Sequence, residues 1–220
     1  MRYAWNPDYE ETTEKLYWTK ELASYFGCSD QAGAEVLEAL EKIGECAPRI
    51  LRRVGITEGN RQTMALGMTM SELTNVKKYR PNYELWKSVS TPGEQPDEYV
   101  LKNIKGERHF GETPVEMAQD VLRFSEEALA AIEKAGESVT KNREEYERYV
   151  TDIQATRLIC QVYAKKVEAA VKVLTYKYTM DEELKGDVSI LEAAREDLKE
   201  SLELYRKLAE LTDKTYLYAN

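Results

Sequence analysis

The sequence predicts an all-α protein, an antiparallel helical bundle with three long C-terminal helices and an irregular central segment. Two observations carry this prediction. Between residues 113 and 211, apolar residues recur at three- and four-residue steps in three blocks, and the short joints between the blocks favour antiparallel neighbours. The composition, 42% hydrophobic and 32% charged, is typical of helical bundles, and strand signals are close to absent.

The length of 220 residues suits one domain or two fused helical subdomains. We interpret residues 1–220 as a single helical domain, with an irregular helical half at 1–111 and a three-helix half at 112–220 as the alternative division. The first and last five residues are rich in aromatic and apolar side chains. We therefore expect this domain to have been excised from a larger protein.

Two helices are expected in the N-terminal part. Asn6 and Pro7 form a favourable helix start, and Gly27 marks the end of that helix. A second helix is predicted to begin near Ser29 and to end at Gly55. Its apolar residues recur at three- and four-residue steps.

The pattern changes between residues 57 and 111, where proline, glycine and asparagine mark several turns. We expect one helix over residues 61–79 and otherwise irregular structure. A long irregular stretch between regular helices is uncommon unless it has a function or packs against a neighbour. This segment is therefore the first place to look for a functional surface.

Helix signals are clearest in the C-terminal half. Thr113 and Glu116 form a capping box, Asn142 is expected to cap the next helix, and the last helix is expected to start at Gly186-Asp187. The middle helix of the three has two apolar faces and is predicted to be central. The last helix is expected to bury a single stripe, formed by Leu191, Ala194, Leu198, Leu202, Tyr205 and Ala209.

Composition limits the chemistry that this chain can perform. The formal net charge of -9 repels a phosphate backbone, so we expect no nucleic-acid partner. No apolar run reaches the roughly 18 residues of a membrane span, so no membrane partner is expected. With one histidine and three scattered cysteines, the chain lacks zinc and di-iron ligand sets. We expect no metal, no cofactor and no catalytic residue, and interpret His109 as hydrogen-bonded or solvated.

The aromatic content suggests carbohydrate binding. Three tryptophans and 15 tyrosines are many for an acidic helical protein, and flat rings together with amide and guanidinium groups can hold sugars. Asn60, Arg61, Tyr79 and Trp86 bring these groups together in the irregular segment, and they are the candidate carbohydrate-binding residues. The alternative is that the rings fill the bundle core and its contact with a neighbour.

Several phrases of the sequence resemble a known family. Residues 3–7, Tyr-Ala-Trp-Asn-Pro, and 21–27, Glu-Leu-Ala-Ser-Tyr-Phe-Gly, resemble the end of the catalytic barrel and the entry to the helical region of large bacterial glycoside hydrolases. Residues 112–118, Glu-Thr-Pro-Val-Glu-Met-Ala, resemble the helical bundle that follows such barrels, as do residues 142–152 and 191–211.

The resemblance implies a non-catalytic helical accessory domain of a polysaccharide-degrading enzyme. Such a domain supports the catalytic barrel and can contribute to the substrate cleft. Its expected partners are the catalytic domain of the same polypeptide and carbohydrate, and its expected location is periplasmic or secreted. The alternative function is a free-standing tetratricopeptide-like helical module that binds a peptide or protein.

Overall fold

The computed structural model describes residues 11–55, 69–75, 92–180 and 186–216. In these ranges the chain forms seven α-helices and no strand, which confirms the predicted all-α class. The helices are α1 (Glu11–Phe26), α2 (Asp30–Ile50), α3 (Met70–Leu73), α4 (Pro96–Lys105), α5 (Pro114–Gly136), α6 (Arg143–Thr179) and α7 (Val188–Thr215). A π-helical turn, Leu51–Gly55, follows α2. The expected helix start at residues 6 and 7 lies outside the described part of the chain.

Most predicted helix ends are confirmed at the level of single hydrogen bonds. Gly27 ends α1 in the left-handed region, with φ of 61°. At the start of α2, the amide of Ala32 donates to Oγ of Ser29 over 3.2 Å. At the start of α5, the Thr113 amide donates to Glu116 over 2.9 Å and the Glu116 amide donates back over 3.1 Å. Both bonds of the predicted capping box are therefore present.

Three local predictions were wrong. The helix expected over residues 61–79 is not continuous, because the four-residue helix Met70–Leu73 ends at Thr74 and Asn75 is non-helical. Residues 96–105, expected to be irregular, form α4, with a capping box of Gln95 and Glu98 at its start and Gly106 in the left-handed region at its end. Asn142 was expected to cap α6 with its side chain. Its φ is 49° and its side-chain amide instead donates to the carbonyl of Tyr25 over 2.8 Å, which ties the α5–α6 joint to the end of α1.

The chain divides into two compact units. The first comprises residues 1–45 and 124–157, and the second 46–123 and 158–220. This division rests on spatial contacts and does not test whether parts of the chain fold separately. The single-domain prediction, with its alternative halves at 1–111 and 112–220, therefore stays a prediction.

The first unit has an aromatic core. The rings of Phe26 and Tyr146 meet edge to face with centroids 5.3 Å apart, a favourable aromatic geometry. The Tyr146 hydroxyl donates to the main-chain carbonyl of Ile132. The buried core comprises Phe26, Ala32, Val36, Ala39, Ala128, Ile132, Ala135, Tyr146 and Ile153.

Helix pairing within this unit is antiparallel. Glu35 and Lys42 of α2 pair with Lys134 and Glu127 of α5, so the residue numbers run in opposite directions. Both ion pairs have nitrogen–oxygen distances of 2.5 Å. Helices α5 and α6, which a short joint connects, are also antiparallel, since Tyr146 bonds to Ile132 and Arg157 to Glu126; the direction expected from that joint is confirmed.

In the second unit, the part of α6 after residue 157 is buried on both predicted faces. Cys160, Val167 and Leu174 of one face are fully buried, as is Ala169 of the other face, where Val162 is nearly so. This confirms the prediction of two packed sides.

Helix α7 departs from its predicted packing. Its buried residues are Ala194, Asp197 and Ser201. Leu202 and Tyr205, expected in the buried stripe, are 49% and 57% exposed. Ala194 of the predicted stripe is buried and Leu191, Leu198 and Ala209 are half-buried, so the prediction fails at Leu202 and Tyr205.

Candidate functional site

The four candidate carbohydrate-binding residues, Asn60, Arg61, Tyr79 and Trp86, lie outside the described residues. Two segments, 56–68 and 76–91, contain them. The chain enters the first segment after Gly55 and leaves the second before Pro92. The described part of the candidate site therefore consists of the residues around Gly55 and Pro92. All of them lie in the second unit.

A short backbone bridge organises this site. The amide of Glu94 donates to the carbonyl of Glu112 over 3.0 Å, and the amide of Glu112 donates to the carbonyl of Pro92 over 3.0 Å. Gly93 lies between these bonds, where a Cβ atom would overlap both the guanidinium of Arg53 and the carbonyl of Glu112. Glycine at this position thus allows the end of one segment to approach the start of the other closely.

Glu112 is the centre of an arginine cluster. Its Oε2 accepts from Nε and Nη2 of Arg53 over 2.9 and 2.8 Å. The Arg53 side chain is fully buried, whereas Arg49 and Arg52, whose nearest nitrogens lie 3.3 and 3.8 Å from Oε1, are partly exposed. Arg49 also contacts Asp120 over 3.1 Å. Three guanidinium groups and two carboxylates thus form one ion-pair cluster among the described residues.

Glu94 is the centre of a second, adjacent cluster. Its buried carboxylate accepts from Nζ of Lys102 over 2.6 Å and from the amide of Phe110 over 2.8 Å, and Nδ1 of His109 lies 2.7 Å from it. Burial by itself raises the pKa of Glu94, but the hydrogen bonds outweigh this effect and leave the pKa below its ordinary value. The charged carboxylate therefore ties residues 109 and 110 to helix α4.

Both ring nitrogens of His109 are engaged. Nε2 lies 3.0 Å from Oδ1 of Asn103, opposite the contact with Glu94, and the ring stacks on Tyr99 with centroids 4.7 Å apart. The interpretation of His109 as a hydrogen-bonded histidine is confirmed. The imidazole supports the fold of the 106–112 loop through these contacts.

The described residues offer little other chemistry. They contain no group of three or more histidine, cysteine or acidic side chains that could hold a metal ion. Cys46 and Cys160 are buried and Cys28 is half-buried. No described helix is both long and apolar enough to cross a membrane.

Sequence reasoning missed the residues that build the two clusters. Glu94, Arg53 and Glu112 carry no local signal, since Arg53 and Glu112 are 59 positions apart. The start of helix α4 does have a signal in the sequence. Gln95-Pro96 followed by Glu98 has the same cap–proline–glutamate spacing as Thr113-Pro114 followed by Glu116.

Comparison with known proteins shows that this chain is similar to part of a solved structure. Solved structures similar to this chain include a GH138 enzyme targeting pectin rhamnogalacturonan II, with 38% sequence identity and a TM-score of 0.89. The similarity covers 100% of this chain and 31% of the enzyme, so the chain spans about a third of that protein's length. Protein-family models and curated proteins give no match. Over its whole length, the chain is thus similar to about a third of a glycoside hydrolase.

Proposed function

We propose that this chain is a non-catalytic accessory domain of a glycoside hydrolase that degrades pectic polysaccharide. It would support the catalytic barrel and form part of the substrate cleft with Asn60, Arg61, Tyr79 and Trp86. The observation that carries this proposal is the whole-length similarity to part of a pectin-targeting GH138 enzyme. A periplasmic or secreted location goes with this proposal, because polymeric pectin is an extracellular substrate.

The arginine cluster supports the choice of an acidic substrate. Galacturonan chains carry carboxylates, and guanidinium groups bind carboxylates with two parallel hydrogen bonds or attract them over longer distances. Arg49 and Arg52, both partly exposed, stand at the start of the segment that holds Asn60 and Arg61.

The same cluster supports a positioning role. Binding residues contribute most when a rigid second layer holds them in place. Fully buried Arg53 and the bridge between Glu112 and Pro92 join the described ends of the two segments.

The test is steady-state kinetics of the complete polypeptide on pectic oligosaccharides. Replacing Asn60, Arg61 and Trp86 singly with alanine should raise KM about tenfold, as expected when a ground-state contact worth about 1.4 kcal/mol is removed, with a smaller effect on kcat. Tyr25→Ala is the matched control, because Tyr25 is an exposed aromatic residue in the first unit. Unchanged kinetics in all three variants would exclude the cleft role.

The accessory role has its own test. The 220-residue chain alone should not release reducing sugar from pectic polysaccharide, whereas the complete polypeptide should. Hydrolysis by the chain alone, abolished by replacing a residue of this chain, would overturn the non-catalytic assignment.

A further inference from the structure

The 106–112 loop, which follows helix α4, is fixed at both ends. At its start, the amide of Glu107 donates to the main-chain carbonyl of Lys102 over 2.9 Å. At its end, Gly111 has a φ of 68°, and a Cβ atom there would overlap the carbonyl of Pro92. The loop is therefore held against α4 on one side and against Pro92 on the other.

The middle of this loop is held by Glu94, whose side chain is only 3% exposed. The carboxylate accepts from the amide of Phe110 over 2.8 Å, and Nδ1 of His109 lies 2.7 Å from it. The His109 ring also stacks on Tyr99. A loop held at both ends and in the middle has little conformational freedom to lose when a ligand binds.

Two side chains of the loop are left at the surface. His109 is directed toward Glu94, and the residues on either side of it, Arg108 and Phe110, are exposed. Phe110 is 67% exposed, more than any other large apolar side chain of the described residues. Single exposed apolar residues are ordinary on protein surfaces. This one differs because a buried carboxylate fixes its backbone and an arginine lies two positions away.

Arg108 is available to a ligand. The other charged side chains between residues 102 and 109 pair with each other or with Glu94: Lys102 and His109 contact Glu94, and Lys105 lies 3.9 Å from Glu107. Within the described part of the chain, Arg108 takes part in no such ion pair. Its guanidinium can therefore bind an external anion.

The two exposed side chains together suit a sugar acid. The flat ring of Phe110 can stack against the apolar face of a sugar ring, and the guanidinium of Arg108 can bind a carboxylate with two parallel hydrogen bonds. A neutral sugar would use Phe110 alone, and a carboxylate without a ring would use Arg108 alone. The pair therefore favours a uronate over either of these ligands.

The position of the loop connects it with the proposed cleft. Gly111 lies against Pro92, which follows Trp86 by six residues along the chain. The next residue, Glu112, accepts from Arg53 near the start of the first segment. Phe110 is thus adjacent to the point where both segments with the candidate carbohydrate-binding residues join the described structure.

We infer that Arg108 and Phe110 form a uronate-binding subsite of the proposed substrate cleft. This inference rests on the proposed function and names the chemical group that this part of the cleft recognises. Phe110 stacks against the ring of a galacturonate unit, and Arg108 binds its carboxylate. Glu94 and His109 do not touch the sugar; they hold the loop in place.

The test is calorimetric binding of an oligogalacturonate, and of its methyl ester, to the complete polypeptide that contains this chain. The ester keeps the sugar rings and removes the negative charges. Phe110→Ala should weaken the binding of both ligands about tenfold, because both use the ring. Arg108→Gln should weaken the binding of the acid about tenfold and that of the ester less than about twofold, because only the acid offers a carboxylate.

Matched controls come from helix α7. Tyr205→Ala and Arg195→Gln remove an exposed aromatic ring and an exposed guanidinium from the same unit, and neither should change the binding of either ligand. Phe110→Tyr keeps a flat ring and should bind both ligands as the unmodified protein does. Hydroxyl-radical oxidation of the unmodified protein gives a readout without substitution: saturating oligogalacturonate should slow oxidation of Phe110 and leave Tyr205 unchanged.

Other outcomes overturn the inference. Equal losses of acid and ester binding in Arg108→Gln would show that the carboxylate is not recognised. Unchanged binding in Phe110→Ala, together with a lower unfolding temperature of the complete polypeptide, would identify Phe110 as a contact with another domain. Absence of binding of both ligands to the unmodified protein would also remove the subsite.

The proposed function fails separately. Unchanged binding in Phe110→Ala, in an enzyme whose pectic activity depends on Asn60 and Trp86, would remove the uronate subsite and leave the accessory role intact. Uronate binding that depends on Phe110 in a polypeptide without pectic activity would remove the accessory role and leave the binding site.

Discussion

Replacing Glu112 with glutamine should destabilise the second unit strongly. The carboxylate contacts fully buried Arg53 through two nitrogens at 2.9 and 2.8 Å, and the Glu112 side chain is only 14% exposed. Removing one partner of a buried ion pair costs about 3–5 kcal/mol, because the other charge stays buried. Since glutamine keeps one accepting oxygen, we expect the lower end, about 3 kcal/mol.

Urea denaturation followed by far-ultraviolet circular dichroism measures this effect. With a slope of about 2 kcal/mol per molar urea, the midpoint should fall by about 1.5 M. Glu203→Gln is the matched control, because Glu203 and Arg206 form an ion pair in which both side chains are more than 60% exposed. An exposed pair of this kind contributes about 0–1 kcal/mol, so the control midpoint should change little.

A double-mutant cycle separates the ion pair from packing. Arg53→Met combined with Glu112→Gln should cost less than the sum of the two single variants, with a coupling of about 1–3 kcal/mol. The reasoning is refuted if Glu112→Gln shifts the midpoint no more than Glu203→Gln does. It is also refuted if the two cluster substitutions are additive.

Three further results are expected from denaturation experiments. Gly93→Ala should destabilise by about 1–3 kcal/mol because its Cβ overlaps neighbouring atoms, whereas Gly44→Ala, with open space in helix α2, should stabilise by about 0.5–1 kcal/mol. Tyr146→Phe should cost about 1 kcal/mol for one hydrogen bond. Burial raises the pKa of Tyr146 to about 12, so its advantage over phenylalanine should be full below about pH 10 and decline above it. The pKa of Glu94 is lowered, so its advantage over glutamine should be full above pH 4.5 and shrink as the pH falls below that value.

The helices and most of their ends could be predicted because their determinants are local. A cap, a proline and a glutamate within four residues specify the start of α5, and a glycine with positive φ specifies the end of α1. Helix α4 carries the same start signal. It was missed because prolines and glycines around residue 95 were interpreted as turns, although Pro96 at the first helical position favours a helix.

The two polar clusters could not be predicted from the sequence. Glu112 meets Arg53 only because α2 and α5 run antiparallel in a register that brings positions 59 residues apart into contact. The neighbouring sequence does not distinguish Glu112 from any other residue that precedes a capping box. Its role depends on burial, which no local pattern specifies when the partners come from distant segments.

Helix α7 shows a second limit of prediction from sequence, which concerns helix packing. Periodicity identifies an apolar stripe but does not say against what the stripe packs. In this chain, α6 offers the Val162 carbonyl, Lys165 and Lys172 to α7, and these groups are matched by Ser201 and Asp197. These polar contacts place Ala194, Asp197 and Ser201 at the centre of the buried face of α7. Leu191 and Leu198 of the predicted stripe therefore stay half-buried at the edge of this contact, and Leu202 and Tyr205 are exposed.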